Sequence, residues 1–360
     1  MPLYWRQKGV KVTFIILSFL VLTFILVLAW CSYPWSLQKK VTKGELLRIE
    51  TEGIVNNEEH PSVIKIQTWN LGFLFGEGSD GPLYSPKEKK FYEDKLNVLV
   101  SEITFSSPDI VCLQEIDIQS ERSFDLNQAQ VLARKANYPY IALAVGWESN
   151  YIPFPYWPLS RNFGRVKSGG AILSRYPITS QEVTLLQKPM SQPWWYNLFY
   201  PHRYFQKVEI DLGSKKISLI NLHLEAYDKL DRQDQIRQLV EKIKQEKIDF
   251  VAGDFNMLPP SASKKSKFVT NKDEYENDSS YQEMVKSNLL EVIPDEIYAL
   301  DEASYLTFPA SRPERRLDYI FYQAGLKMIK AEILPSALSD HLPLKSTFQI
   351  SNPNFNPYSQ

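Results

Sequence analysis

Polar and apolar residues follow three patterns along this chain. The first is a run with no charge: Val12 to Cys31 reads VTFIILSFLVLTFILVLAWC. At ~1.5 Å per residue such a helix would be ~30 Å long, the thickness of a bilayer's hydrocarbon core. Tyr4, Trp5, Trp30, Tyr33 and Trp35 flank it as an aromatic belt would. Core helices of soluble domains are rarely apolar on every face. A cleaved signal peptide usually has a shorter apolar region, ~7–15 residues, ending in small residues. Here the run ends Leu28-Ala29-Trp30-Cys31. The pattern predicts an uncleaved membrane helix over 12–31, preceded by a short tail, 1–11. Basic residues lie on both sides, Arg6, Lys8 and Lys11 before and Lys39, Lys40, Lys43 and Arg48 after. A first helix near the start often inserts with its N-terminus inside, so the bulk of the chain is expected on the outer, extracytoplasmic side.

The second pattern, Ser36 to Glu59, is mostly polar and reads as a linker, giving a lead-in over 32–61. The third begins at Ser62, where strand and helix signals interleave. Ser62–Trp69 alternates and predicts a strand. Ser85-Pro86-Lys87-Glu88 has the chemistry of a helix start, with Ser85 as N-cap, and Leu96, Leu99, Val100 and Ile103 mark one apolar face. Pro108 closes that helix, and Asp109–Glu115 is a short buried strand. Phe124–Asn137 reads as helix, Tyr138–Val145 and Gly170–Arg175 as strands. Tyr204–Leu212 and Lys216–Leu224 form a hairpin around Gly213-Ser214. Asp231 is placed as the cap of a helix carrying Ile236, Leu239, Val240 and Ile243. Asp249–Gly253 is a strand, Tyr281–Val292 a helix, and Leu317–Tyr322 and Lys345–Ile350 the closing strands. The polar stretch Ser261–Ser280 reads as a surface loop. Hairpins mixed with βα units favour a mixed α/β fold over a doubly wound parallel sheet.

Composition narrows the chemistry. The 360 residues are 44% apolar and 23% charged, enough for a large core. The net charge is −1, which argues against holding nucleic acid by bulk charge while leaving room for a local basic groove. Two cysteines, Cys31 and Cys112, rule out a thiolate zinc site. Gly169-Gly170 and Gly76-Glu77-Gly78 lack the spacing of a P-loop or a dinucleotide fingerprint.

Polar residues interrupt the ends of several apolar strands: Asn70 after IQTW, Glu115 after IVCLQ, His223 inside LINLHL, Asp254 and Asn256 in VAGDFN, Asp318 in RRLDYIF, and Asp340-His341 in SDHLPL. Singly, each has a bland reading, such as an Asx-turn, a surface ion pair or a core histidine. Together they match the needs of phosphate-ester hydrolysis. That reaction wants a cation on hard oxygen ligands such as Glu115, Asn70 and Asp340. It also wants an Asp-aligned water and His or Asn donors for the non-bridging oxygens. The ligand types suit Mg²⁺ or Mn²⁺ better than zinc.

In this order, TWN, LQE, NLHLE, GDFN, RLDYIF and SDHLPL resemble the endonuclease/exonuclease/phosphatase superfamily, from about Val63 to Ile350. The resemblance implies a four-layer αββα sandwich of two mixed sheets flanked by helices, a catalytic domain over 62–351 and a tail over 352–360. It also implies roles. Glu115 is the principal Mg²⁺ ligand, with Asn70 and Asp340 near the metal. His223 contacts the scissile phosphate and Asp254 aligns and deprotonates the attacking water. Asn256 binds a phosphate oxygen and positions Asp254. His341 stabilises transition-state charge, held in its useful tautomer by Asp318. A scaffold on a dead enzyme fold is expected to lack one of these residues, and none is missing. Arg165, Lys167 and Arg175 flank GGAILSR, where one could meet a phosphate.

The substrate is read from Trp147–Phe205, which holds fourteen aromatics in 59 residues, interleaved with prolines. Such a segment either covers the core or presents an aromatic surface to lipid headgroups or a base. The anchor favours a phosphate ester at or near the bilayer, a phosphodiester or phosphomonoester, as substrate. The alternative is a membrane-tethered nuclease.

Overall fold

The computed structural model describes residues 2–33, 41–53, 61–76, 85–269 and 274–350, with side chains from residue 11 onward. The tail 352–360, much of the Ser36–Glu59 lead-in, Glu77 and Gly78, and the side chains of Tyr4, Trp5 and Trp35 lie outside the described residues.

In chain order the elements are α1 (Pro2–Cys31), β1 (Val41–Thr42), β2 (Glu45–Arg48), β3 (Val63–Asn70), α2 (Lys89–Ser106), β4 (Ile110–Asp117), α3 (Gln128–Lys135) and β5 (Tyr140–Ile152). They continue with β6 (Gly164–Ser174), β7 (Ile178–Leu185), α4 (Trp194–Asn197), β8 (Tyr204–Asp211), β9 (Lys216–His223), α5 (Lys229–Gln245) and β10 (Phe250–Asp254). The last are α6 (Ser280–Val285), β11 (Leu290–Glu291), α7 (Asp295–Leu300), β12 (Asp318–Tyr322), β13 (Lys327–Ile333) and β14 (Leu344–Gln349).

The strands form two mixed sheets, ordered β1-β7-β8-β9-β10-β12-β11 and β13-β14-β3-β4-β6-β5-β2. Strand alternation decides which layer each side chain joins. In β4, Ile110 and Cys112 face the other sheet and meet Ile217, Leu219, Phe250 and Ile320. Val111 and Leu113 of the same strand face outward onto α2 and α3, packing with Leu99, Ile103 and Leu132. On the opposite side, Ile236, Leu239 and Ile243 of α5 cover Ile220, Val251 and Phe321. Helix, sheet, sheet and helix thus stack as the expected αββα sandwich. A ladder of buried amides crosses between the sheets: Gln114 Nε2 donates to Asn221 Oδ1 (2.6 Å), and Asn221 Nδ2 to Gln206 Oε1 (2.9 Å).

Several expected boundaries move, each for a local reason. α2 starts at Lys89, not at Pro86, because Glu88 is extended and Lys87 is held over the rings of Phe75 and Phe91 (4.9 and 5.5 Å). α3 is shorter than 124–137 because Phe124 and Asp125 are left-handed (φ 59° and 57°), and Asn127 caps it through Gln130 N–H. The cap of α5 is Asp228, accepting from the N–H groups of Leu230 and Asp231, three residues before the expected Asp231. The 281–292 helix ends at Val285, and Leu290–Glu291 instead pairs with β12. Ser261–Ser280 is more than a surface loop, since Phe268 and Tyr275 are buried in the inter-sheet core. β7 and β13 had no expectation attached. β7 turns the polar Gln181 inward and β13 leaves most of its residues exposed or half-buried, so neither shows a clean apolar alternation.

The lead-in is not a free linker where it is described. β1 pairs with β7 at the edge of one sheet, and β2 pairs with β5 at the edge of the other. The chain crosses between them through Lys43 and Gly44, the latter at φ +64°, a conformation that glycine adopts without strain. α1 runs from Pro2, and its Lys11–Cys31 portion has a mean hydropathy of 3.0 and is long and apolar enough to cross a membrane, with its side chains exposed up to the last turn, where Cys31 is buried against the domain.

Candidate active site

The register of β9, β10 and β12 brings the first group of side chains together. Asp254, the last residue of β10, lies opposite His223 of parallel β9 and opposite Asp318 of antiparallel β12. Residues paired in register share a face, so these groups stand abreast at one end of the sheet. Gly253 permits this spacing: it sits at φ +152°, and a Cβ there would collide with the Leu222 carbonyl of β9. Asn70 ends β3 on the other sheet, and its Nδ2 donates to Asp254 Oδ2 (3.0 Å). One hydrogen bond therefore joins the two sheets at the site.

Asp254 Oδ2 is the hub. Besides Asn70, it has His223 Nε2 at 3.5 Å and His341 Nε2 at 3.8 Å. Its other oxygen accepts from the backbone N–H of Asn256 (3.0 Å), which is left-handed at φ 50°. Asn256 also donates from its side chain to the Leu224 carbonyl (3.0 Å). Burial raises the Asp254 pKa to about 6, with the Asp318 charge adding to the rise and His341 opposing it.

The two histidines are held in opposite states. His341 Nδ1 lies 2.8 Å from Asp318 Oδ2, so its Nε2 faces the hub. Burial disfavours its charge, but the carboxylates of Asp318 and Asp254 outweigh that and lift it to about 10. Its ring is braced by Phe308, centroids 4.7 Å apart, and its carbonyl accepts from Trp69 Nε1 (2.8 Å). His223 is pushed well below its ordinary value by burial and by the Arg203 guanidinium. Arg203 Nη1 donates to His223 Nε2 at 2.6 Å, which requires that nitrogen to be an unprotonated acceptor.

Glu115 owes its position to backbone geometry. β4 bulges between Leu113 and Ile116, and Glu115 itself is left-handed at φ 49°. A bulge re-aims one side chain, and a non-glycine residue in this region carries strain that its surroundings must hold. The result sends Oε1 to within 3.3 Å of Asn70 Nδ2 and 3.6 Å of His223 Nε2. Glu115 also lines an adjoining cavity of about 190 Å³ with His223 and Arg203. Asp340 joins the same corner: its Oδ1 accepts from Ser339 Oγ (3.0 Å) and would clash with any Cβ at Gly72.

All eight residues singled out at strand ends thus fall in one region. The structure turns the amide nitrogen of Asn70 toward the carboxylates and its oxygen toward the Gly72 N–H (3.0 Å). The donor set fits a hard divalent cation. Asp254 and Asp318 bring carboxylate oxygens within 4.8 Å of each other and of the His341 ring, which as a cation donates to them and does not itself act as a ligand. Asp318 Oδ1 is buried without a hydrogen-bond partner, and Glu115 adds a further carboxylate at the cavity edge. Arg165 and Arg175 do not join the site. Arg165 pairs with Asp125 (2.7 Å) and Arg175 with Asp109 (3.6 Å).

Sequence reasoning missed Arg203 and its partners. Arg203 lies 3.6 Å from Glu225, whose other oxygen accepts from Tyr200 (2.9 Å). The signal was available: counting back from the Gly213-Ser214 turn pairs Tyr204 with His223, which sets Arg203 beside the histidine. It also missed Arg122, buried against Asp117 (2.8 Å) and beneath the ring of Phe73 (3.9 Å), where it supports the aromatic wall of the cavity.

The two-sheet sandwich, with imidazoles and carboxylates gathered at one end of its strands, defines a fold of the phosphoesterase and nuclease type. The Endonuclease/Exonuclease/phosphatase family matches residues 68–341, and the chain belongs to it. Members of that family are hydrolases of phosphoester bonds. The chain is 32% identical over 100 residues to Nocturnin of Homo sapiens, covering 28% of this chain and 20% of the relative. It is likewise 32% identical over 63 residues to Nocturnin of Xenopus laevis, 17% of this chain and 16% of that protein. The matched stretch spans a fifth or less of these curated relatives. Among solved structures, an endonuclease/exonuclease/phosphatase from Beutenbergia cavernae superposes with TM-score 0.55 at 17% identity, over 81% of this chain and 72% of that one. The human Nocturnin catalytic domain with bound sulfate gives TM-score 0.51 at 20% identity, over 86% and 97%. D. rerio TDP2 complexed with a single-strand DNA product gives 0.52 at 17%, over 81% and 100%. At these identities the likeness concerns the fold.

Proposed function

We propose that this chain is a divalent-metal-dependent phosphoesterase that hydrolyses a phosphate ester by in-line attack of water. The observation that carries the reading is the convergence of Asn70, His223 and His341 on Asp254 Oδ2 within 3.8 Å. A carboxylate raised toward neutrality, fixed by the Asn70 amide and the Asn256 N–H and faced by the His341 cation, is suited to align and deprotonate water. His341, kept cationic by Asp318, faces the same space from Nε2 and offsets charge developing on the phosphoryl oxygens. Asn256 steadies Asp254 through its backbone, and its second side-chain N–H is available for a phosphate oxygen. His223, neutral beneath Arg203, presents its ring to the phosphate. Glu115 would hold Mg²⁺ or Mn²⁺, with Asn70 and Asp340 beside it, and a bound ion would supply charge neutralisation at the phosphate.

The substrate reading rests on the adjoining cavity and the N-terminal helix. Phe73, Trp147, Phe154, Phe163 and Phe199 line the cavity beside Glu115 and His223, so the leaving group or its attachment is apolar or planar. With α1 as a membrane anchor and the catalytic domain on the outer side, a lipid-linked phosphate ester fits that wall. A nucleotide stacked on the aromatics is the second reading, favoured by the likeness to a fold solved with a DNA product. A panel of phospholipid vesicles, single-strand oligonucleotide and soluble phosphoesters, each with Mg²⁺ and with EDTA, tests both. Turnover of lipid with Mg²⁺, abolished by EDTA, is expected. Cleavage of the oligonucleotide without lipid turnover rejects the lipid reading, and undiminished activity in EDTA rejects metal dependence.

A further inference from the structure

A second cavity, of about 600 Å³, opens where α1 meets the domain. The last turn of α1 is fastened to β5: the Asn150 backbone N–H donates to the Tyr33 carbonyl (2.6 Å) and its side chain to the Trp30 carbonyl (3.1 Å). Just before this seam, Ile25 and Leu28 of the helix face Trp194 and Leu198 across the cavity, and Lys188 and Glu148 lie in its walls. The lysine and the glutamate are not paired with each other. Lys188 donates only to the Asn197 carbonyl (2.6 Å), with no carboxylate within ion-pair distance among the described residues. Burial lowers its pKa to about 8, which leaves it a cation at neutral pH without a counter-charge. Such a group gains from an anion that arrives with it already desolvated.

Depth decides what that anion belongs to. The helix wall is part of the stretch whose mean hydropathy is 3.0, exposed along its length until the last turn meets the domain. If that stretch lies in hydrocarbon, its end and the cavity lie at headgroup level. We propose that this cavity binds a zwitterionic phospholipid of the leaflet nearest the catalytic domain. Its phosphate pairs with Lys188, its ammonium faces Glu148 and the rings of Trp147 and Trp194, and an acyl chain lies along Ile25 and Leu28. Net neutrality of the charged pair selects a zwitterion over an anionic lipid. The site is separate from the catalytic centre, but the two cavities share Gly146, Trp147, Tyr200 and His202. A lipid here therefore packs behind the wall that the substrate meets. The inference rests on the anchoring reading above and adds a lipid site to it.

The test uses the full-length chain in dioleoylphosphatidylcholine vesicles containing a trace of phosphatidylcholine with a diazirine on its acyl chain. After irradiation, label is expected on the peptide carrying Trp194–Leu198, beyond what α1 itself acquires. Ala29→Trp, which fills the cavity, and Lys188→Glu, which repels the phosphate, should each cut that label about tenfold, the loss of one charged contact or its equivalent. Both should still hydrolyse bis(p-nitrophenyl) phosphate at the unmodified rate, which verifies the fold. Equal labelling of 194–198 in the unmodified chain and both variants overturns the site. Equal labelling by a diazirine phosphatidylglycerol in phosphatidylglycerol vesicles overturns its preference for a zwitterion. A chain that stays off vesicles yet cleaves the soluble ester overturns anchoring and site together while leaving the hydrolase reading intact. Label retained with no hydrolysis supports the site and removes the hydrolase reading.

Discussion

The strand ends that carry Asn70, Glu115, His223, Asp254 and Asp318 meet one side of the smaller cavity through Glu115 and His223, and the stretch from Gly146 to Tyr204 borders the other. Both are rich in side chains able to touch substrate, yet they are held differently. On the strand-end side, every group is cross-braced and all but the half-buried Glu115 are buried, with Asp254, Asp318 and His341 almost inaccessible. On the aromatic side, Trp147, Phe154, Phe163 and Phe199 pack together, while Trp157, Trp194 and Trp195 stand 79%, 71% and 53% exposed. The first side is fixed by hydrogen bonds of defined direction, the second by packing, which tolerates exchange of shape. Under the proposed function, chemistry falls to the rigid side and choice of substrate to the adaptable one.

The largest effect should come from Asp254→Asn. Removing the hub carboxylate is expected to lower turnover about 10³-fold or more, with an unchanged circular dichroism spectrum and thermal midpoint. Full activity in this variant would break the distinction between the two sides at its centre. Arg203 joins the sides, since it lies near the end of the aromatic stretch and its guanidinium reaches His223. Arg203→Met leaves the buried Glu225 carboxylate without its cation, and a loss of about 3–5 kcal/mol is expected in urea unfolding. A loss under 1 kcal/mol would mean that the aromatic side does not depend on this pair.

His202 gives the smallest and most specific test of the aromatic side. Burial and the nearby Lys188 charge lower its pKa to about 4, against about 6.5 in an unfolded chain. Between those values the unfolded chain binds a proton that the folded one refuses. Stability contributed by the neutral imidazole is therefore full above pH 6.5 and lost as pH falls toward 4, by about 3 kcal/mol. His202→Gln should remove that component of the slope when urea midpoints at pH 7 and pH 4.5 are compared. An identical slope in the variant would show that the aromatic side opens to water.

What could be read from the amino-acid order divides along the same line. Asn70, Glu115, His223, Asp254, Asp318 and His341 were visible because each is a polar residue interrupting an apolar strand, a local contrast that needs no knowledge of neighbours. The sandwich followed from the same strands and from the motif order. The bulge that turns Glu115, the Arg203–Glu225 pair and the Arg122 support were not visible, because a single buried cation has no periodic signature and its partner lies elsewhere in the chain. The aromatic stretch was recognised by composition, but composition could not separate Phe163, packed inward, from Trp157, left outside. β1 was hidden by its shortness, being two residues long.

That short lead-in has a consequence for handling the protein. β1 and β2 cover the outer strands β7 and β5, whose backbone N–H and C=O groups would otherwise be open to pairing with another molecule. A shortened chain that begins before Val41 keeps these pairings, whereas one that begins at Pro61 opens the backbone at Val183–Thr184 and Tyr140–Leu143 to strand addition and invites aggregation with every residue of the strand-end cluster still in place.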